Sequence, residues 1–379
     1  MFGNLDLSTL QHLWWIIASL VGALFIFLTF VQGGQTLLPF VAKDDLEKSL
    51  VINSLGRKWE LTFTTLVLFG GALFAAFPLF YATSFGGAYW VWIAILFTFI
   101  VQAVSYEFRK KPDNVLGAET YEKFLFINGS LGMLLIGAAV GTFFTGSNFS
   151  LNDYHLVTWQ HSLRGLEAAF NLFNISLGIF LVFLARVLGA MYLLNNIEYE
   201  PLEKRLRQAT FNNLLLALPF LLIVLFKLLT MDGFAVNPQT GQVYMEANKY
   251  LHNLLANPVF GLGFVLIGLV LVVLAVIICR FTAKRHGIWL AGPGTVLVVF
   301  ALFLTAAFNN TAFYPSKFDL QSSLTISNAS SSPYTLAAMS YIALAVPFVL
   351  AYIAYVWRAM DSQKLTAAEM GGEDAEELY

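Results

Sequence analysis

Apolar residues along this chain come in long unbroken runs, not in the alternation of a half-buried strand or the narrow stripe of an amphipathic surface helix. Crossing about 30 Å of hydrocarbon at 1.5 Å per residue takes about 20 mostly apolar residues. Nine runs meet that length, at about 13–41, 61–82, 85–104, 124–145, 168–194, 212–231, 258–279, 288–307 and 335–357. Only "TSFGG" separates the second from the third, which predicts an antiparallel hairpin. The pattern predicts an all-α integral membrane protein, a single polytopic membrane domain over 1–379 with no linker long enough to set off a soluble domain.

Composition agrees. The 379 residues are 58% hydrophobic and 12% charged, about half the charge of a typical soluble domain. One cysteine, Cys279, lies in an apolar run, which excludes a disulfide framework, a cysteine metal cluster and thiol-based redox chemistry. The opening "MFGNLDLSTLQ" has no Lys or Arg, and the run behind it is far longer than the h-region of a signal peptide, so it is expected to stay in the mature protein.

The basic residues orient the runs. Of 21 Lys and Arg, 16 fall in one set of loops, 3 in the other (Arg164, Lys249 and Lys317), and Arg186 and Lys227 lie within spans. Loops left on the cytoplasmic side carry the positive excess. The N-terminus is therefore expected on the periplasmic side and the C-terminus in the cytoplasm, which requires an odd number of spans. The acidic tail "EMGGEDAEELY" is read as a solvated end.

Candidate chemistry is sparse. A membrane protein holding its own haem needs His, Met or Cys within its helices, but His12, His155, His161, His252 and His286 all lie in loops or at span ends. Met133, Met191 and Met339 are scattered packing residues. The chain by itself is expected to bind no metal and no redox cofactor. It has no Walker loop, no GxGxxG after a strand and no HExxH, and nothing points to a nucleic-acid partner. Gly33-Gly34 and Gly70-Gly71 are read as helix-packing positions, and Pro39 as a kink or end of the first helix.

Polar residues at membrane depth are costly, which makes each a functional candidate. Gln32 and Gln35 straddle the first glycine pair, and Gln102 and Glu107 flank the inner end of the third run. Snorkelling is the alternative for both Arg186 and Lys227, and Arg186 is the better candidate of the two for an interhelical ion pair or an anionic group on a partner. The sharpest candidate is Glu60 in "RKWEL". One reading makes it an interfacial anchor, with Trp59 in the aromatic belt and the carboxylate held by the helix dipole, Arg57 and Lys58. The other makes it a proton acceptor at the mouth of an inward path.

Four segments, in order, resemble subunit II of the cytochrome bd-type quinol oxidases: "LWWIIASLVGALFIFLTFVQGGQTLLPF", "KWELTFTTLVLFGGALFAAFPLFYATSF", "GAMYL" at 189–193 and "YPSKFDLQSSLTISNASSSPYTLAAMSY" at 314–341. The resemblance implies a two-subunit quinol oxidase of the bacterial inner membrane that reduces oxygen to water. It places the b-type haems, with or without haem d, and the handling of quinol and oxygen in subunit I. Subunit II would pack against that partner without being catalytic itself, and the arrangement leaves room for a structural quinone or lipid and for a small accessory chain.

Acidic residues of subunit II serve a proton path from the cytoplasm in this family. Its Trp-Asp at the start of the second helix corresponds to Trp59-Glu60, and its aromatic-acidic end of the third helix to Tyr106-Glu107-Phe108-Arg109, so Arg109 joins the candidates. The Asp-Gly-Phe-Asp pattern of the first helix is Leu28-Thr29-Phe30-Val31, without acids, and Gly-Asn-Gln-Val-Trp is Leu61-Thr62-Phe63-Thr64-Thr65. These departures mark a divergent branch. A secondary transporter and a purely structural membrane subunit are the rival readings; few midplane charges and no pair of interrupted helices argue against the first.

Overall fold

A computed structural model of the chain describes residues 2–111 and 113–371; the last eight residues of the acidic tail, 372–379, lie outside the described residues. Among these, nine helices are long and apolar enough to cross a membrane: Leu7–Val41, Asp45–Ala76, Tyr89–Phe108, Ala118–Thr145, Leu172–Asn196, Glu200–Thr230, Val259–Phe281, Ile288–Ala307 and Pro333–Met360. They are the first to ninth spans below.

Several begin well before their apolar runs. Asp6 caps the first helix by accepting from Thr9 N and Thr9 Oγ1 at 3.1 and 2.5 Å, so the polar turn through His12 is already helical. The second span carries a preceding helix, Asp45–Gly56, capped by Asp44 and separated by Arg57 and Lys58 from Trp59–Ala76. Its sequence "DLEKSLVINSLG" is too polar to register as a span, yet Leu50, Val51 and Leu55 are buried. The sixth span starts at Glu200 rather than 212. Two short antiparallel hairpins qualify the all-α expectation, pairing Phe149–Leu151 with Val157–Trp159 and Gly233–Val236 with Val243–Glu246.

The fifth span is the hub, with 67% of its apolar window buried against 22% and 17% for the sixth and ninth. The first span bends at Thr29, whose hydroxyl donates to Ile26 O at 2.6 Å, a back-bond that tilts a helix. The bend lies four residues before Gly33, and Pro39 ends nothing itself, since the helix closes two residues later at Val41. Past the bend, backbones touch. A Cβ on Gly33 would lie 1.7 Å from Ala185 O, and one on Gly189 2.3 Å from Gly34 N. Small residues allow this approach, and lipid offers no hydrophobic drive to replace it.

Gly33→Ala is therefore expected to force the first and fifth spans apart and cost about 1–3 kcal/mol or more, visible as a lower melting temperature in detergent. Gly71 differs: nothing lies within 4 Å of a Cβ there, so of the pair Gly70-Gly71 only Gly70, buried and with its Cβ position 3.5 Å from the Phe85 ring, meets the packing role within this chain. Gly71→Ala leaves the isolated subunit's melting temperature unchanged.

The two ends of the bundle are built differently. At the end holding the N-terminus, the block 323–336 ties spans together: Gln11 Nε2 donates to Ser330 Oγ at 2.6 Å, Trp14 Nε1 to Leu336 O at 3.0 Å, and Ser331 N to Ala76 O at 2.8 Å. At the opposite, basic end, the cations are mostly consumed by ion pairs. Arg205 pairs with Glu47, Arg109 and Lys48 share Glu122 at 2.8 and 3.0 Å, and Arg207 and Arg285 share Glu203 at 2.6 and 2.7 Å.

Candidate functional site

Trp59 opens the second span's long helix, and its indole stacks on Tyr106 of the third span, centroids 5.6 Å apart and planes 11° from parallel. The Tyr106 hydroxyl meets Gln35 Nε2 at 3.0 Å. Gln102 and Thr98 lie one and two turns above Tyr106 on the same helical face, and Thr98 Oγ1 is 3.5 Å from Asn128 Nδ2 on the fourth span. Gln32 lies one turn above Gln35, where the first span passes so close to the fourth that its backbone carbonyl would be 2.2 Å from a Cβ on Gly129.

Local structure explains the convergence. The fourth span loosens into a π turn at Asn128–Gly132, "NGSLG", whose glycines admit the first span and Thr98 within van der Waals distance. A π turn re-aims side chains inward and is common at functional sites. Asn128 was missed from sequence; a lone Asn flanked by Gly inside an apolar run is the signal that would have found it.

All four amides, Gln32, Gln35, Gln102 and Asn128, are buried. Gln32 Nε2 and Oε1, Gln102 Nε2 and Oε1, Gln35 Oε1, Asn128 Oδ1 and Trp59 Nε1 find no partner among the described residues. Each unpaired buried polar group costs about 1–3 kcal/mol. Several in one place are tolerated where water satisfies them, since a buried water makes about three hydrogen bonds.

Glu60 stands next to this cluster in sequence but faces away from it. It is exposed, on a stripe with Thr64, Leu68, Gly71 and Phe74, and makes no hydrogen bond or ion pair among the described residues. The anchoring partners expected for it point elsewhere. Arg57 Nη2 pairs with Glu369 at 3.0 Å. Lys58, its side chain fully buried, pairs with Asp361 at 3.0 Å; Trp357 Nε1 donates to the other Asp361 oxygen at 2.8 Å. Lys364 Nζ donates to Asn195 O, and burial pushes its ammonium below the usual lysine value. The segment after the ninth span thus closes over the basic end.

The remaining candidates separate. Glu107 is exposed and unpaired among the described residues, while Arg109 is engaged with Glu122. Arg186 donates from Nε to Thr36 Oγ1 at 2.9 Å and has no carboxylate partner among the described residues. Lys227 is exposed near its helix end.

The histidines do not fit a haem. His286 binds Asn195 at 2.8 Å, His252 binds Glu246 at 2.8 Å, His12 binds Ser8 O at 2.7 Å, and His155 and His161 lie in the loop before the fifth span. None reaches the bundle interior, where an axial ligand would be needed. Between the fourth, fifth, sixth, seventh and eighth spans lies an apolar crevice of about 120 Å³, lined by residues including Phe144, Phe180, Leu221 and Val298; its polar exception is Thr295, whose hydroxyl is unpaired among the described residues.

Nine helices long and apolar enough to cross a membrane, three of them bringing buried amides together, define a polytopic membrane protein. The sequence profile described as cytochrome bd terminal oxidase subunit II matches residues 10–360, and the chain belongs to that family. It is 28% identical over 372 residues to cytochrome bd-I ubiquinol oxidase subunit 2 of Escherichia coli (strain K12), covering 94% of this chain and 95% of the relative. It is 24% identical to cytochrome bd ubiquinol oxidase subunit 2 of Bacillus subtilis (strain 168), covering 94% and 98%. The fold is similar to the solved bd oxidase from Geobacillus thermodenitrificans, with a TM-score of 0.58 at 12% identity over 92% of this chain and 97% of that one. Family membership makes the chain a component of a respiratory oxidoreductase complex.

Proposed function

We propose that this chain is the haem-free subunit II of a bacterial quinol:oxygen oxidoreductase, packed against a haem-bearing subunit I and conducting protons toward it from the cytoplasm. The basic end faces the cytoplasm in this reading, as the loop charges require, with the N-terminus periplasmic. Subunit I handles quinol and oxygen. It packs on the stripe of Glu60, Thr64 and Gly71, where an exposed glycine and threonine offer the close backbone approach that helix association in lipid depends on. The apolar crevice suits the hydrocarbon tail of a structural quinone or lipid.

The observation that carries the proton role is the amide cluster behind Trp59 and Tyr106. The first helix lacks the family's acids, but Gln32, Gln35, Gln102 and Asn128 provide uncharged donors and acceptors around which water can form a relay. Glu60, exposed at the basic end of the helix that Trp59 opens, is the proton acceptor at the mouth of the path, and the water relay among the amides needs no further ionisable side chain.

Gln32→Leu combined with Gln102→Leu tests this, because leucine removes the polar atoms at similar volume and, with none of them bonded to protein, leaves no orphan behind. The complex is expected to assemble with its haem absorbance intact, while oxygen consumption and proton uptake on quinol addition fall by about tenfold or more. Unchanged turnover and uptake would leave subunit II a structural component.

A further inference from the structure

Arg186 lies ten residues before the fifth span ends at Asn196, about 15 Å along the helix. Its guanidinium is ringed by Phe40, Phe126 and Phe183, whose centroids lie 5.3, 5.9 and 5.7 Å from Cζ, so rings from the first, fourth and fifth spans all face it. Its one side-chain bond among the described residues uses Nε, to Thr36. The four N–H groups of the guanidinium fork are left over.

Two carboxylates of the basic end are taken, Glu47 by Arg205 and Glu122 by Arg109 and Lys48, and no carboxylate pairs with Arg186 among the described residues. Cation–π attraction is worth about 0.5–2 kcal/mol, too little to offset a charge held at the edge of hydrocarbon. The slot opens to the outside of the bundle, since Phe40 is 64% exposed. Three residues nearer the basic end, Lys43 follows Phe40 and Lys123 precedes Phe126, both exposed; Lys43 has no ion pair among the described residues, and Lys123 pairs with the exposed Glu119 at 2.8 Å. The geometry points to a binding site for the phosphodiester of an anionic phospholipid from the leaflet at the basic end.

The guanidinium fork takes the phosphate oxygens in a two-bond arrangement, as it does for phosphates generally. Lys43 and Lys123 flank the headgroup at interfacial depth, and the acyl chains lie against Phe183 and Phe220, which stack at 6.1 Å. A lipid fits this place better than the partner subunit: the slot's walls come from the first, fourth and fifth spans, whereas the stripe offered to subunit I is on the second.

The test is made on the whole oxidase complex, purified in detergent, washed, and assayed for bound phospholipid and for melting temperature before and after adding phosphatidylglycerol or phosphatidylcholine. Wild type is expected to retain an anionic phospholipid through washing and to gain thermal stability from phosphatidylglycerol alone. Arg186→Gln is expected to lower retained anionic lipid by about fivefold and to abolish the phosphatidylglycerol shift. Arg186→Lys keeps part of both, because an ammonium supplies charge without the fork. The surface pair Lys43→Gln and Lys123→Gln, which removes no buried contact, is expected to weaken retention in the same direction. Equal lipid retention and equal shifts in all variants would overturn the site. So would a response to inorganic phosphate equal to that of the lipid, or loss of subunit I from Arg186→Gln with lipid retention unchanged, which would make the missing anion a partner carboxylate.

Discussion

Replacing Glu60 with glutamine is expected to cut quinol-driven oxygen consumption and proton uptake by about tenfold or more, while the complex assembles at wild-type yield. The two parts follow from one observation. The carboxylate is exposed on the stripe with Thr64 and Gly71 and makes no bond to its own chain among the described residues, so an isosteric amide breaks nothing in the subunit's fold. What the amide removes is the ability to hold and release a proton. Glu60→Asp keeps that ability, with a reach shorter by one methylene, and is expected to retain most of the turnover. Oxygen consumption with a soluble quinol, paired with pH-electrode measurement of uptake, separates the outcomes. Full activity in Glu60→Gln would end the proton role, and loss of haem from the purified complex would show that the residue only anchors the partner.

The second large effect concerns stability. Asp361→Ala is expected to destabilise the subunit by about 3–5 kcal/mol, because the Lys58 ammonium is fully buried and would lose its one carboxylate. The Trp357 indole would lose its acceptor in the same change. Combining it with Lys58→Met should recover most of the loss, since an apolar pair of similar volume carries no desolvation cost. Thermal melts of the two single variants and the double variant check this. If the double variant melts no higher than Asp361→Ala alone, the ion pair is not what holds the ninth span's end to the second span's start.

Hydropathy exposed the spans because the bilayer demands length and apolarity together, and the number of candidate helices agrees with the count read from the chain. It missed Asp45–Gly56 and the first turns of the first and sixth spans, where polar residues interrupt the apolar run although the backbone is already helical. The cost of burying amides singled out Gln32, Gln35 and Gln102, but nothing local connected them to Asn128 or to Tyr106, whose contacts cross between spans. Charge counting treated Arg57 and Lys58 as an orientation signal and as neighbours of Glu60. Their actual partners, Glu369 and Asp361, are 312 and 303 residues away, beyond the reach of any periodicity. Gly33 and Gly71 look alike in sequence, yet one touches a backbone and the other faces open space. Only the assembled bundle distinguishes them.

The same Lys58 to Asp361 link bears on how the subunit is made. At about 5–20 residues per second, some 15–60 s separate synthesis of the two partners. Until the last span has been inserted, a lysine destined for the interior waits with its charge unmatched, so the second span cannot take its final seat. The finished basic end is thus contingent on completion of the chain. A subunit truncated before residue 361 would reach the membrane with its spans threaded but unlatched, a state that quality-control proteases are suited to recognise.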